Sequence, residues 1–333
     1  MQRKTGLDLL RCLAFMFVVV FHSFLNNGYY SEPQTGGAMV LAGSARWLSV
    51  SCIGIFLMLT GYLKSDRTDF RSCYRGLPAV LLGYALAAVI SIPVRHFLLG
   101  DTQSFSVWLK RLFGFTAVYY GWYVEMYVGL ILLIPFVNMV LERMEDRWHL
   151  LTFAGVMLAL TALPGATPLN IAPDHWRGLY PLTYYILGAT VRRFKPKLHP
   201  MLGIFAALGI SALLGAATVL STDDILNEAF TQEFADLWIV LISFSLFAGL
   251  YHIRVPTIPA KLLKIGAGGC YGGYLLSHLL DAWCYRLIPQ WRTPEKYWLL
   301  FLVVSLPIYF VSILSGILLD KSTHLLLSPK HTP

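Results

Sequence analysis

Residues 7–23 read LDLLRCLAFMFVVVFHS, and the reading of this stretch decides the fold. From Cys12 to Phe21 it is uninterruptedly apolar, and with its flanks it is long enough to cross ~30 Å of hydrocarbon as a helix. Asp8, Arg11 and His22 punctuate it. At about 100° per residue, Arg11 and His22 fall within about 20° of each other, and Asp8 lies about 60° from Arg11. One helical face therefore carries a carboxylate, a guanidinium and, about 16 Å further along the axis, an imidazole.

Outward from this segment the whole chain has the same character. Its 333 residues are 56% hydrophobic and 13% charged, with a mean hydropathy of +0.61, where a soluble domain carries about a quarter charged residues. The expected fold is all-α, a single polytopic membrane helix bundle over residues 1–333 with about ten transmembrane helices. The apolar runs are 7–25, 39–63, 77–98, 119–140, 150–163, 179–191, 201–220, 237–253, 265–288 and 298–319. The fifth and sixth are short and interrupted by Pro164, Pro168, Pro173 and Pro181. An amphipathic stretch from Phe105 to Phe115 is expected to lie in the interface.

The formal net charge of +8 would suggest nucleic acid in a soluble protein. Here 17 of the 26 Lys and Arg residues fall in alternate short segments if both termini are cytoplasmic, eight fall outside and Arg11 lies within the first helix. That is the signature of retained positive loops, and no nucleic-acid partner is expected. The segment 221–236 carries Asp223, Asp224, Glu228, Glu233 and Asp236 with no Lys or Arg, as an outer loop should. The expected location is the bacterial inner membrane, among its lipids. Asp8 and Arg11 break the start of the first run and no small-residue cleavage site follows, so it reads as a retained helix and not as a signal peptide. Cys12, Cys52, Cys73, Cys270 and Cys284 form neither a disulfide framework nor a metal-ligand spacing, and no metal is expected.

Ionisable groups inside a bilayer are costly and usually face a cavity or a partner. His22 is the candidate general base or nucleophile, Arg11 its companion near the inner surface. The distance between them matches a thin pantetheine arm, so an acyl-CoA could rest its phosphates on inner basic residues and push its thioester towards His22. Arg71 and Arg75 in FRSCYRGLP are candidate phosphate anchors, since guanidinium groups bind phosphate bidentately; the alternative is an ordinary positive-inside loop. Glu125, among Trp122, Tyr123 and Tyr127, is expected at the depth of His22, where it orients the imidazole or is a neutral structural group. His278 and Asp281, three residues apart on one helical face, complete the site or bond to each other. Trp122 and Tyr123 are candidate substrate contacts. The alternative for Asp8 and Arg11 is an interfacial ion pair, and for His22 a hydrogen bond to a neighbouring helix.

The glycine-rich AGGCYGGY has Tyr271 where a dinucleotide loop needs its third glycine, so Gly268 with Gly272 and Gly269 with Gly273 read as close helix packing. No HExxH, P-loop or nucleophile elbow is present.

LDLLRCLAFMFVVVFHS resembles the first helix of the acyltransferase 3 family, whose hallmark is Arg or Lys, ten residues, then His; Arg11 and His22 match it. IFLMLTGYL resembles the family's Phe-rich helix ending in Ser-Gly, with Thr60 before Gly61. FRSCYRGLP, GWYVEMYVGLILLIPFVN and GGYLLSHLL resemble its basic segment, its Trp-Tyr helix and its late Tyr-Leu-x-x-His helix. The resemblance implies an O-acyltransferase that moves an acyl group, commonly acetyl from acetyl-CoA, to surface polysaccharide, glycan or glycolipid, as in polysaccharide O-acetylation. It implies a catalytic His22 and an important Arg11. The hydrolase-like domain of longer members is absent from the sequence, which suggests direct transfer. The competing reading is a transporter or flippase of a polysaccharide or lipid-linked intermediate, for which cavity-facing charges would also serve.

Overall fold

The computed structural model describes residues 4–164, 172–221, 234–288 and 293–328. The molecule is all-helical, 81% helix, with no strand among the described residues. In chain order the helices are α1 (Thr5–Asn26), α2 (Gly36–Val50), α3 (Cys52–Lys64), α4 (Phe70–Tyr74), α5 (Leu77–Pro93), α6 (Phe105–Phe113) and α7 (Trp122–Arg143). They continue with α8 (Arg147–Thr161), α9 (Tyr180–Phe194), α10 (Pro200–Ser221), α11 (Leu237–Leu250), α12 (Thr257–Cys284), α13 (Tyr297–Leu300) and α14 (Leu306–Leu327).

Each apolar run of the sequence falls mainly on helix, with Tyr119 and Tyr120 in the turn before α7. Among the described residues, six helical stretches are long and apolar enough to cross a membrane: Thr5–Ser31, Gly36–Lys64, Phe70–Leu98, Trp122–Arg143, Pro200–Ser221 and Tyr297–Leu327. The other four are α8 and α9 with 15 residues each, α11 with 14, and α12. At 1.5 Å per residue the first three reach about 21–23 Å, short of ~30 Å. α12 has 28 residues but includes Lys261, Lys264, His278 and Asp281, and falls outside the six. Pro168, the acidic residues Asp223, Asp224, Glu228 and Glu233, and the basic Arg3 and Lys330 lie outside the described residues.

The helix ends follow from local chemistry. Asp69, Asp146 and Asp236 cap α4, α8 and α11, their carboxylates accepting from the backbone N–H of Ser72, Trp148 and Trp238, which satisfies donors the first turn leaves orphaned. α1 stops where Gly28 adopts φ +88°, the left-handed conformation open to glycine at a helix C-terminus. The second apolar run is not one helix: Ser51, whose hydroxyl donates to Leu48 O at 2.6 Å, separates α2 from α3. Arg46, inside the second apolar run, lies within α2 and is 1% exposed.

α1 is the most buried of the six stretches, packed against α2, α3 and α12. α12 packs tightly against α14. A Cβ added at Gly269, Gly272 or Gly273 would lie 2.4, 2.7 and 2.7 Å from backbone oxygens of Ile313, Gly316 and Ser312, so these glycines let two backbones touch. Gly268 meets nothing within 4 Å, so the packing expectation is corrected at that residue. α6 has an amphipathic pattern, Trp108 buried and Phe105, Leu109 and Phe113 exposed.

Candidate active site

A cavity of about 400 Å³ lies between α1, α3, α7, α12 and α14. Its walls repeat at helical spacing: α12 contributes Ala267, Cys270, Tyr271 and Tyr274, and α3 contributes Cys52, Phe56, Thr60 and Lys64. α1 contributes Arg11, Val18, Phe21 and His22, so Arg11 and His22 of the face predicted from sequence line the cavity and Asp8 does not. One end is polar, with Arg11, Lys64, Asp320 and His324; the other carries His22, Trp122 and Phe234.

Arg11 also pairs with Asp8, Nη1 to Oδ1 3.6 Å, so the ion pair and the cavity position coexist. His22 is 7% exposed. Its ring stacks on Tyr120, centroids 3.7 Å apart and planes within 10°, and its Nδ1 is buried without a hydrogen-bond partner among the described residues. The Tyr120 hydroxyl donates to Asp281 Oδ2 at 2.7 Å, and its backbone oxygen accepts from the Tyr274 hydroxyl at 2.6 Å. His278 Nδ1 lies 2.9 Å from Leu275 O, and its ring meets Tyr120 edge-on at 5.7 Å. His278 Nε2 and Asp281 Oδ1 are buried without hydrogen-bond partners among the described residues. His278 and Asp281 thus converge on Tyr120, behind His22.

Tyr120 sits in the turn before α7, not on a helix, and periodicity gave no reason to select it. The aromatic cluster VYYGWY, 118–123, was its only local signal. The turn is held by Arg95, whose Nη1 donates to Thr116 O at 3.1 Å and Ala117 O at 2.7 Å and whose guanidinium lies 3.9 Å from the Tyr119 ring centroid. Arg95 and Arg111 share Asp101, at 2.5 and 2.9 Å. A cation paired, hydrogen-bonded and stacked in this way fixes backbone that would otherwise be a free loop.

Trp122, Tyr123 and Tyr127 line the cavity. Glu125 does not: it is exposed on α7, because residue 125 is turned about 160° from 123 and 127. The place beside the imidazole expected for Glu125 is occupied by Tyr120. Arg71 and Arg75 are exposed on and after α4 and do not line the cavity, whereas Lys64, just before them, does. Asn138, in the Pro-to-Asn end of the Trp-Tyr helix, donates to Lys64 O at 2.8 Å and Arg67 O at 2.6 Å and accepts from the Tyr185 hydroxyl at 2.8 Å. It pins the segment that carries Lys64.

No curated protein and no solved structure matches the chain. The family model described as an acyltransferase domain matches residues 4–317. With that match over nearly its whole length, and with apolar helices arranged around a cavity that joins Arg11 to His22, the chain belongs to the acyltransferase 3 family of membrane acyltransferases.

Proposed function

We propose that the chain transfers an acyl group, acetyl from acetyl-CoA, from the cytoplasmic side to a hydroxyl of a glycan or glycolipid outside. The observation that carries this reading is one cavity touching both Arg11 and His22, about 16 Å apart along α1. On this reading both termini face the cytoplasm of a bacterium, all ten apolar helices lie within the inner membrane, and the short α8, α9 and α11 cross where the bundle surrounds them.

The donor enters at the end carrying Arg11, Lys64 and His324. The nucleotide stays at the inner surface, where Arg71 and Arg75 supply further positive charge. The thin pantetheine runs between Phe56, Thr60 and Tyr127. At the far end the acceptor oxygen attacks the thioester carbonyl carbon, the C–S bond breaks, and the proton of the hydroxyl passes to His22 and then to the departing CoA sulfur. An alternative order transfers the acyl group first to the imidazole and then to the acceptor. Trp122 and Tyr123 offer stacking surfaces for a sugar ring. Tyr120 holds the imidazole plane, and Asp281 holds Tyr120.

The test is consumption of acetyl-CoA by the purified protein in detergent, with mass spectrometry of surface glycans and lipids from cells with and without the gene. Thioester consumption lost in His22→Ala and an acylated glycan missing without the gene are the expected results; unaltered glycans and no thioester turnover would favour transport.

A further inference from the structure

Arg46 is 1% exposed, the largest fully buried side chain among the described residues. Burying a guanidinium is expensive unless an anion accompanies it. The ion pairs among the described residues join Arg11 to Asp8, Arg95 and Arg111 to Asp101, and Arg192 to Asp66; none includes Arg46. Its hydrogen-bond partner is a neutral phenol, Nε donating to the Tyr30 hydroxyl at 2.9 Å, and its guanidinium carbon lies 4.9 Å from the Trp47 ring centroid.

The surroundings are also unfinished. The Tyr29 hydroxyl, Gln34 Oε1 and the Tyr297 hydroxyl are buried without hydrogen-bond partners among the described residues. The Tyr29 hydroxyl reaches α2 one turn from Arg46, 3.3 Å from where a Cβ on Gly43 would stand. The Tyr29 ring lies 5.1 Å from that of Tyr30 and 6.3 Å from that of Tyr297. A cation with an unpartnered phenol, Tyr29, and a second phenol, Tyr30, beside it is an arrangement complementary to an oxyanion.

Its place in the chain says which molecule brings that oxyanion. α2 leads into Cys52, which lines the cavity with His22, and Arg46 lies about 9 Å before Cys52 along the helical path, beyond the His22 end and away from Arg11. A donor arriving along Arg11 would not pass it. We infer that Arg46, with Tyr29 and Tyr30, binds an oxyanion of the acceptor, a carboxylate or phosphate on the glycan or glycolipid that receives the acyl group. This rests on the transferase reading above for the word acceptor, and on the buried unpaired cation for the site itself.

The experiment titrates purified full-length protein in neutral detergent with inorganic phosphate, glucuronate, glucose and phosphatidylglycerol-doped micelles, reading tryptophan fluorescence against a chloride control. Saturable changes with phosphate and glucuronate, none with glucose, and their disappearance in Trp47→Phe are expected. Arg46→Gln should weaken half-saturation about tenfold or more, as loss of a charge-assisted pair does, while Arg46→Lys should weaken it less. If Arg46→Gln does not fold, wild type against Trp47→Phe decides. No saturable response to either soluble anion, an undiminished response in Arg46→Gln, or a response to phosphatidylglycerol alone, which marks a lipid headgroup site, would overturn the inference. His22→Ala should bind the anions as wild type does. Anion binding without any thioester consumption by wild type would sink the transferase reading and leave the anion site standing.

Discussion

The imidazole of His22 lies flat on the phenol ring of Tyr120, centroids 3.7 Å apart and planes within 10°, and the same phenol donates to Asp281 at 2.7 Å. A ring held on one face by a plate that is itself tied down retains one orientation, which is what a proton-transfer group requires.

Tyr120→Phe keeps the plate and loses one hydrogen bond, leaving the Asp281 carboxylate without that donor. Activity should fall by about tenfold or less, the scale of a single hydrogen bond. Tyr120→Ala removes the plate, and thioester consumption should fall by about a hundredfold. Equal losses in the two variants would mean that the hydroxyl, not the stack, is what matters.

Glu125→Gln should leave the rate of acetyl-CoA consumption within about twofold of wild type, as for an exposed residue away from the site. A loss comparable to that of His22→Ala would bring Glu125 back into the machinery.

Arg71→Ala and Arg75→Ala should raise the KM for acetyl-CoA more than they lower kcat, because a contact made equally in ground and transition states moves KM alone. An unchanged KM in the double variant would remove both from donor binding and leave Lys64 and Arg11 as the inner anchors.

Gly61 and Gly188 bring α3 and α9 into backbone contact: a Cβ on Gly61 would stand 2.0 Å from Tyr185 O, and one on Gly188 2.1 Å from Met58 O. Neither oxygen can swing aside as a side chain would, so Gly61→Ala or Gly188→Ala should cost about 1–3 kcal/mol, as overpacking does. Thermal unfolding in detergent should show a fall in Tm of several degrees; a Tm equal to that of wild type would mean the helices do not meet as closely as described.

Asp101, in the loop before α6, has its carboxyl held below its ordinary value of 3.8: partial burial pushes it up, but hydrogen bonds from Arg95, Arg111 and Gln103 outweigh that. A carboxylate with a folded-state value below its unfolded one contributes stability that is full above about 3.8 and is lost as pH falls through the lower folded value. Melting temperature should therefore decline below about pH 4 in wild type, and Asp101→Asn should lower it at neutral pH and flatten that decline. Parallel curves for the two proteins would exclude the carboxylate as the source.

Much of the bundle was legible because its signals are local. Apolar runs mark helices wherever ~30 Å of hydrocarbon must be crossed, and a fixed 100° per residue aligned Arg11 with His22 before any fold was known. The same periodicity could have turned Glu125 away from Tyr123 and Tyr127, but sequence alone did not say which face of α7 was inward. That depended on α7 packing beside the cavity. Nor did hydropathy single out Arg46, since one Arg inside an apolar run does not tell whether the helix that carries it is lined there by protein or by water.

By itself, then, the sequence determined an all-helical membrane protein with an ionisable stripe on its first helix, because helix periodicity and hydrocarbon thickness act on neighbours along the chain. Only the tertiary structure decided that Tyr120, and not Glu125, lies against His22, that Asp281 holds Tyr120 from 161 residues away, and that Arg46 is buried without a carboxylate among the described residues. Those pairings arise where separate helices pack against one another, and that packing depends on the shapes of whole faces, which no local spacing encodes.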